Sequence, residues 1–315
     1  MIGIIYLFLG ILILYFTGNW LVSGSTSLAK HLNVQPFIIA LTLVAFGTSA
    51  PELAISVNSA LKGFSGITIG NIVGSNIANV LFAVPLAFLI KIPKSSDIKK
   101  IDCLYLVLAT VFFIFVFLKV QFFSFHSGVL MILMLLTYLA YVIFEAVKGK
   151  RAISTEDITT SFSLKKSMFF LFIGLIGVVV GADILVKGAT MTASLFGISQ
   201  TIIGLTIVAI GTSIPEVVTS MIAAYRGQTG FILGAILGSN FFNLLAVTGV
   251  ASIITRISAE NTLNNIDIIY LILSTIIFTL IAFYTKFINK KLVSLILISY
   301  IIYVLFIYIR MTLEN

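Results

Sequence analysis

The chain has 315 residues, 60% of them apolar and only 10% charged, where an average soluble domain has about half and about a quarter. A mean hydropathy of +1.19, with 27 Phe spread along the whole length, excludes a soluble fold and a domain on one anchor, and leaves a polytopic membrane protein. The net charge of +8 then points to basic cytoplasmic loops and not to nucleic acid, while a single cysteine excludes an internal disulfide and any cysteine-based metal cluster.

At about 20 residues per span, the apolar runs predict ten helices, at 2–23, 35–61, 66–90, 101–119, 125–147, 167–187, 199–225, 229–255, 266–285 and 292–310. No basic residue precedes Ile2–Phe16 and no small-residue cleavage pattern follows it, so this segment reads as the first span and not as a removable signal peptide. Cys103, in the fourth span, reads as a small apolar-like helix residue. Of the 19 Lys and Arg, 14 fall on one set of alternate loops and 5 on the other, namely Lys62, Lys119, Lys187, Arg256 and Arg310. By the positive-inside rule the richer side is cytoplasmic, which puts both termini outside a plasma membrane. The one sizeable hydrophilic stretch, 148–166, is too short for a folded domain. It reads as a solvated cytoplasmic linker between 1–147 and 167–315, with contact to anionic lipid as a weaker option. Glu145, at a helix end beside Lys148, is expected to face water, and His31 and His126 read as surface residues.

The chain repeats itself. Gly47-Thr-Ser-Ala-Pro-Glu52 recurs as Gly211-Thr-Ser-Ile-Pro-Glu216, and Gly74-Ser-Asn-Ile-Ala-Asn79 as Gly238-Ser-Asn-Phe-Phe-Asn243, both displaced by 164 residues. At that displacement 38–79 and 202–243 are identical at 21 of 42 positions without a gap. Each half holds five spans, an odd number, so the second copy enters the membrane in the opposite sense. The expected fold is therefore an all-α integral membrane protein with ten transmembrane helices as two inverted five-helix repeats. That organisation describes a secondary transporter whose site lies near the bilayer midplane, between the repeats.

Glu52 and Glu216 are the deepest acidic residues, and a bare carboxylate there costs at least ~3 kcal/mol. The nearest basic residues on their own helices, Lys62 and Arg226, are about ten positions on, so the missing countercharge is most simply a bound cation. Thr48 precedes Glu52 by four residues, as Thr212 precedes Glu216, which predicts hydroxyl and carboxylate on one helical face. Ser75 and Asn79, and Ser239 and Asn243, share that spacing. Carboxylate, hydroxyl and amide oxygens without His or Cys suit Ca²⁺ or Na⁺ and argue against zinc or copper. Pro51 and Pro215 lack an N–H and free a carbonyl one turn back, which offers backbone oxygens such as those of Ala45, Thr48, Ala209 and Thr212 to a cation. Asp183, four residues before Lys187 and equivalent to Asn19 in the first half, reads as a structural pair near the membrane surface, with a gating role as the alternative.

These motifs resemble the α-repeats of the cation/Ca²⁺ exchanger superfamily, specifically the prokaryotic sodium/calcium exchangers. The motifs cover 38–79 and 202–243, and the span architecture extends the resemblance over the whole chain. It implies that Glu52 and Glu216 are central Ca²⁺ ligands that also serve Na⁺, that Thr48, Ser49, Ser75, Thr212, Ser213 and Ser239 surround them, and that Asn79 and Asn243 line the middle of the site. It also implies antiport by alternating access, with the first and sixth helices sliding across a fixed core. The runs Leu21-Val-Ser-Gly24 and Leu185-Val-Lys-Gly188, again 164 apart, fit such a pair. Potassium-dependent relatives, and some prokaryotic sodium/calcium exchangers, carry Asp where this chain has Asn243. A fixed charge of −2 therefore matches one Ca²⁺ and argues against a K⁺ requirement; more than two Na⁺ would leave the loaded site net positive, and the resemblance implies an electrogenic cycle. The large regulatory domains of animal exchangers have no room in 148–166. A Ca²⁺/H⁺ exchanger and a cation channel remain alternatives; no nucleophile and base pair at membrane depth suggests an enzyme. No cofactor and no obligate protein partner is expected beyond the ions and the lipid bilayer.

Overall fold

The computed structural model describes residues 2–94, 96–151, 162–195, 211–260 and 262–313. The long elements are helices: α1 (Ile2–His31), α2 (Pro36–Thr48), α3 (Ala50–Leu61), α4 (Ser65–Ile90), α5 (Lys100–Val120), α6 (Phe125–Val147), α7 (Leu164–Leu195), α8 (Ile214–Tyr225), α9 (Thr229–Ile254), α10 (Asn265–Phe283) and α11 (Lys290–Leu313). Among the described residues, eight helices are long and apolar enough to cross a membrane, and α2 and α3, bent by 41° at their junction, add a ninth as one broken span. The twelve-residue α8 is apolar but shorter. The span expected at 199–225 lies partly outside the described residues, and so does Ala209.

Burial is inverted relative to a soluble protein. Large apolar side chains such as Phe8, Phe115, Phe144, Phe169 and Ile301 are exposed, while Glu52, Asn79, Glu216 and Asn243 are buried. Water would reject the first group and hydrocarbon the second, so the exposed surface is the lipid-facing one. In α4 and α9 the most apolar stretch is 78% and 89% buried, against 22–44% in the other long spans. These two helices form the centre, and α2 lies along α9. There a Cβ on Gly234 or Gly238 would run into the Phe37 or Leu41 carbonyl, so only glycine permits the approach.

On one side of this centre α1 and α7 pack along each other for much of their length. A Cβ on Gly174 would lie 2.5 Å from the Leu21 nitrogen, and one on Gly188 2.5 Å from that of Leu7; Gly10 and Gly24 face Leu185 and Leu171 as closely from the other helix. Small residues on both sides let the two backbones meet. A short antiparallel pairing of Phe122–Phe123 with Ile257–Ser258 ties the segments that follow α5 and α9.

Two expectations about charge are corrected. Glu145 does not face water: it is buried, held by Lys99 at 2.5 Å with the Arg151 Nε at 3.5 Å. Nor is 148–166 solvated throughout, because Arg151 is fully buried and its Nη1 and Nη2 donate to both Asp102 oxygens at 3.0 and 2.7 Å. The cause is Asp102, which accepts from the Lys99 N–H at the start of α5 and from the Tyr138 hydroxyl, and whose buried charge draws the guanidinium inward. Lys150 keeps to the expected exposure, and 152–161 lie outside the described residues. Asp267 has the same surroundings in α10: it accepts from the Asn264 N–H, from the Tyr303 hydroxyl at 3.0 Å and from Arg310 at 3.5 Å. Asp183 pairs with Lys187 at 2.6 Å, as read from the spacing.

Replacing Arg151 by Ala strands the Asp102 carboxylate in the interior, and the expected loss of stability is about 3–5 kcal/mol. Lys150→Ala is expected to change it by less than about 0.5 kcal/mol. Denaturation of the purified protein in detergent measures both, and equal losses would contradict the assignment.

Candidate functional site

The first half of the site is built on a helix that stops and restarts. At Ser49 the backbone (φ −84°, ψ 4°) leaves the helical region and α3 begins afresh at Ala50, with Pro51 in its first turn. In the second half, Ser213 (φ −88°, ψ 0°) caps the start of α8, with Pro215 in its first turn. Proline fits a first turn because it has no N–H to leave unbonded there. These helix starts place Glu52 and Glu216 in the first turn of α3 and α8, where the aligned N–H groups favour negative charge.

Both carboxylates are buried, and they lie close enough to interact electrostatically. Among the described residues neither forms an ion pair. Around them are neutral oxygens. Ser239 on α9 donates to Glu216 Oε1 at 3.1 Å, and Ser75 on α4 lies against the Glu52 carboxylate. Thr48 and Ser49 approach Glu216 from across the centre. The break at Ser49 interrupts the helix along which Thr48 and Glu52 are expected to share a face. Asn79 Nδ2 donates to Asn240 Oδ1 at 3.0 Å and so joins α4 to α9. The Ala45 carbonyl accepts from the Ser49 N–H at 3.0 Å and from Thr48 Oγ1 at 3.4 Å. Thr212 is half-buried at the turn before α8.

The polar atoms are under-used. Glu52 Oε2, Glu216 Oε2, Ser49 Oγ, Ser213 Oγ, Asn79 Oδ1 and Asn243 Oδ1 are all buried without a hydrogen-bond partner. Each such atom costs about 1–3 kcal/mol if nothing satisfies it, so their concentration around two like charges calls for a positive guest. Two carboxylates with hydroxyl and amide oxygens form a hard-cation donor set. Among the described residues no group of three His, Cys, Asp or Glu competes as a metal centre.

The helices are also locally unwound at this depth. Widened turns with i→i+5 hydrogen bonding run over Ala40–Val44 in α2, Asn79–Ala83 in α4 and Phe242–Val247 in α9. Such turns leave carbonyls less committed and are common at functional sites. Sequence reasoning passed over Asn240, which holds Asn79, and Asn71, whose Nδ2 donates to the Glu52 carbonyl at 3.2 Å and to Ser56 Oγ at 2.9 Å. The signal for Asn240 was present, since Asn76 and Asn240 both belong to the repeated Gly-Ser-Asn. Asn71 had none, because its equivalent is Ala235.

A family model for the sodium/calcium exchanger protein matches residues 2–147 and 166–311. An uncharacterized membrane protein of Methanocaldococcus jannaschii is 34% identical over 287 residues, covering 90% of this chain and 91% of that protein. A sodium/calcium exchanger of Methanosarcina acetivorans, MaX1, is 31% identical over 298 residues, covering 82% and 84%. The structure of the sodium-calcium exchanger NCX_Mj soaked with 2.5 mM Na⁺ and 0.1 mM Ca²⁺ superposes with a TM-score of 0.79 at 32% identity, covering 96% of this chain and 97% of that one.

If the orphaned hydroxyls exist for a guest, Ser49→Ala and Ser213→Ala are expected to leave the ion-free protein as stable as before or stabilise it by about 1 kcal/mol, while shrinking the gain on adding a divalent cation. Thermal unfolding with and without chelator reads both. A large loss in chelator alone would mark the hydroxyls as structural.

Proposed function

Because the chain belongs to the sodium/calcium exchanger family, we propose that it exchanges Na⁺ for Ca²⁺ across its membrane by alternating access at the site between α2–α3, α4, α8 and α9. The observation that carries this reading is the pair of buried carboxylates that share one site with unpartnered oxygens and, among the described residues, form no ion pair. The ligands we assign are Glu52 and Glu216 at the centre, with Thr48, Ser49, Ser75, Thr212, Ser213 and Ser239 around them. Asn79 and Asn243 line the middle, and the carbonyls of Ala45 and Ala209 contribute at the edge. In this role the chain is a carrier and not an enzyme.

The charge balance supplies the coupling. Two carboxylates hold −2, which one Ca²⁺ or two Na⁺ cancel, so both cargoes need the same oxygens and cannot bind together. The empty carrier, with both carboxylates uncancelled, meets the largest desolvation penalty on crossing hydrocarbon, so only the loaded forms reorient. A third Na⁺ would leave the loaded site positive and make the cycle electrogenic.

We assign ten spans in two inverted five-helix halves, 1–147 and 167–315, joined by 148–166. In support, the family match itself falls on either side of that linker. The buried Asp102–Tyr138 and Asp267–Tyr303 pairs, each 36 residues apart, give the two halves a common inner brace. The 14-to-5 division of basic residues supports a plasma-membrane orientation with both termini outside.

Vesicles containing the protein and loaded with Na⁺ are expected to take up ⁴⁵Ca²⁺, whereas choline-loaded, K⁺-loaded or acid-loaded vesicles are not, and Glu52→Gln is expected to abolish the uptake. Uptake driven as well by an acid interior as by Na⁺ would overturn the reading in favour of proton coupling.

A further inference from the structure

Arg226, which ends α8, grips α1. Its Nε donates to Asn19 Oδ1 at 2.9 Å and its Nη1 donates to Ser23 Oγ. Both acceptors are held in place on α1: Asn19 Nδ2 donates to the Tyr15 carbonyl and Ser23 Oγ to the Asn19 carbonyl, each at 2.7 Å.

Displaced by 164 residues, Arg226, Asn19 and Ser23 become Lys62, Asp183 and Lys187. The same three positions, on the opposite membrane face, are arranged otherwise. Asp183 pairs along its own helix with Lys187 at 2.6 Å, and both side chains are more than half exposed at 59% and 63%. Lys62, exposed at the end of α3, makes no ion pair among the described residues. One contact of a matched pair is therefore made and the other is not. In a carrier built of inverted repeats, the two halves exchange conformations as the site turns over.

Resting on the exchanger reading, we propose that Arg226 with Asn19 and Ser23, and Lys62 with Asp183, are alternate latches between the core and the α1–α7 pair, each closed in one orientation of the carrier. The present structure has the Arg226 latch shut and the Lys62 latch open. On turnover Arg226 releases α1, and Lys62 takes Asp183 from Lys187. These are positioning residues: they touch no ion, and they act by setting which face of the site is accessible. The two latches differ in chemistry. Arg226 binds a neutral amide and a hydroxyl, whereas Lys62 and Asp183 form an exposed charge pair that salt screens.

The test compares Arg226→Ala and Lys62→Ala in right-side-out and inverted vesicles, reading the half-saturating Ca²⁺ concentration on each face. Loss of a latch removes the orientation it closes. Arg226→Ala is therefore expected to raise the half-saturating Ca²⁺ on the Lys62 face and lower it on the Arg226 face by about 5-fold or more. Lys62→Ala should produce shifts of the opposite sign, and these alone should fade with ionic strength. A merely structural role would move both faces together. As a second measurement, Lys62→Cys with Asp183→Cys in a Cys103→Ser background should cross-link on oxidation, stop exchange and recover with reductant. Same-sign shifts, no shift in either variant, or a cross-linked protein that still exchanges would overturn the latch while native exchange stands. Absence of Na⁺-dependent Ca²⁺ flux in the native protein would overturn the exchanger reading, and the latch with it.

Discussion

Two carboxylates buried together, with no ion pair to either among the described residues, set the terms for the rest of the molecule. A carboxylate in hydrocarbon costs several kcal/mol, and a second one beside it adds repulsion. No arrangement of the helices around Glu52 and Glu216 removes that cost. The protein instead surrounds them with oxygens that are themselves short of partners, including Ser49 Oγ, Ser213 Oγ and the Asn79 and Asn243 amide oxygens. The frustration is local, specific in sign and relieved by a cation. A site satisfied by its own side chains would have no reason to bind one, and a site satisfied too well would not let it go.

The scaffold can be understood as what it takes to hold such a site at membrane depth. Breaking α2 from α3 at Ser49, and starting α8 after Ser213, turns N–H groups toward the carboxylates without exposing backbone to lipid. The most buried helices, α4 and α9, supply Ser75, Asn79, Ser239, Asn240 and Asn243 from the centre, and the glycines of α9 let α2 come close enough to bring Thr48 and Ser49 across. At the periphery the requirement changes. Asp102 and Asp267 are each bonded to a helix-start N–H, a tyrosine hydroxyl and an arginine. Buried charge that is fully answered stiffens the frame, while buried charge that is left unanswered at the centre is open to a cation. The α1–α7 pair belongs to neither group. It packs through glycine and meets the core through contacts such as the grip of Arg226 on Asn19 and Ser23.

Much of the site was legible because duplication makes motifs visible in a single sequence. Gly-Thr-Ser-x-Pro-Glu and Gly-Ser-Asn-x-x-Asn, each occurring twice at one displacement, named the carboxylates, the hydroxyls and the prolines. What was missed follows from what a displacement of 164 cannot detect. Asp102 and Tyr138 recur at 165, one residue out of step, so an ungapped comparison hid the buried braces. Without Asp102 in view, Arg151 reads as one more basic loop residue and Glu145 as a solvated helix end, because burial by a distant partner leaves no local signature. Thr48 was placed beside Glu52 by helical spacing, which assumes a continuous helix. The chain breaks its helix at Ser49, between the two, and the Thr48 hydroxyl reaches Glu216 across the centre. Asn71 has no duplicate and could be found only through the contact it makes.

If Na⁺ and Ca²⁺ contend for one set of oxygens around Glu52 and Glu216, Ca²⁺ binding must weaken as Na⁺ rises. Calorimetric titration of the purified protein with Ca²⁺ at a series of Na⁺ concentrations, with choline holding ionic strength constant, tests it most directly. Competition for one site requires one Ca²⁺ per chain, an apparent Kd that rises steeply with Na⁺, and loss of the binding heat at saturating Na⁺. A Ca²⁺ affinity indifferent to Na⁺ would contradict it, because the two ions would then occupy separate sites and nothing in the geometry would couple their movement.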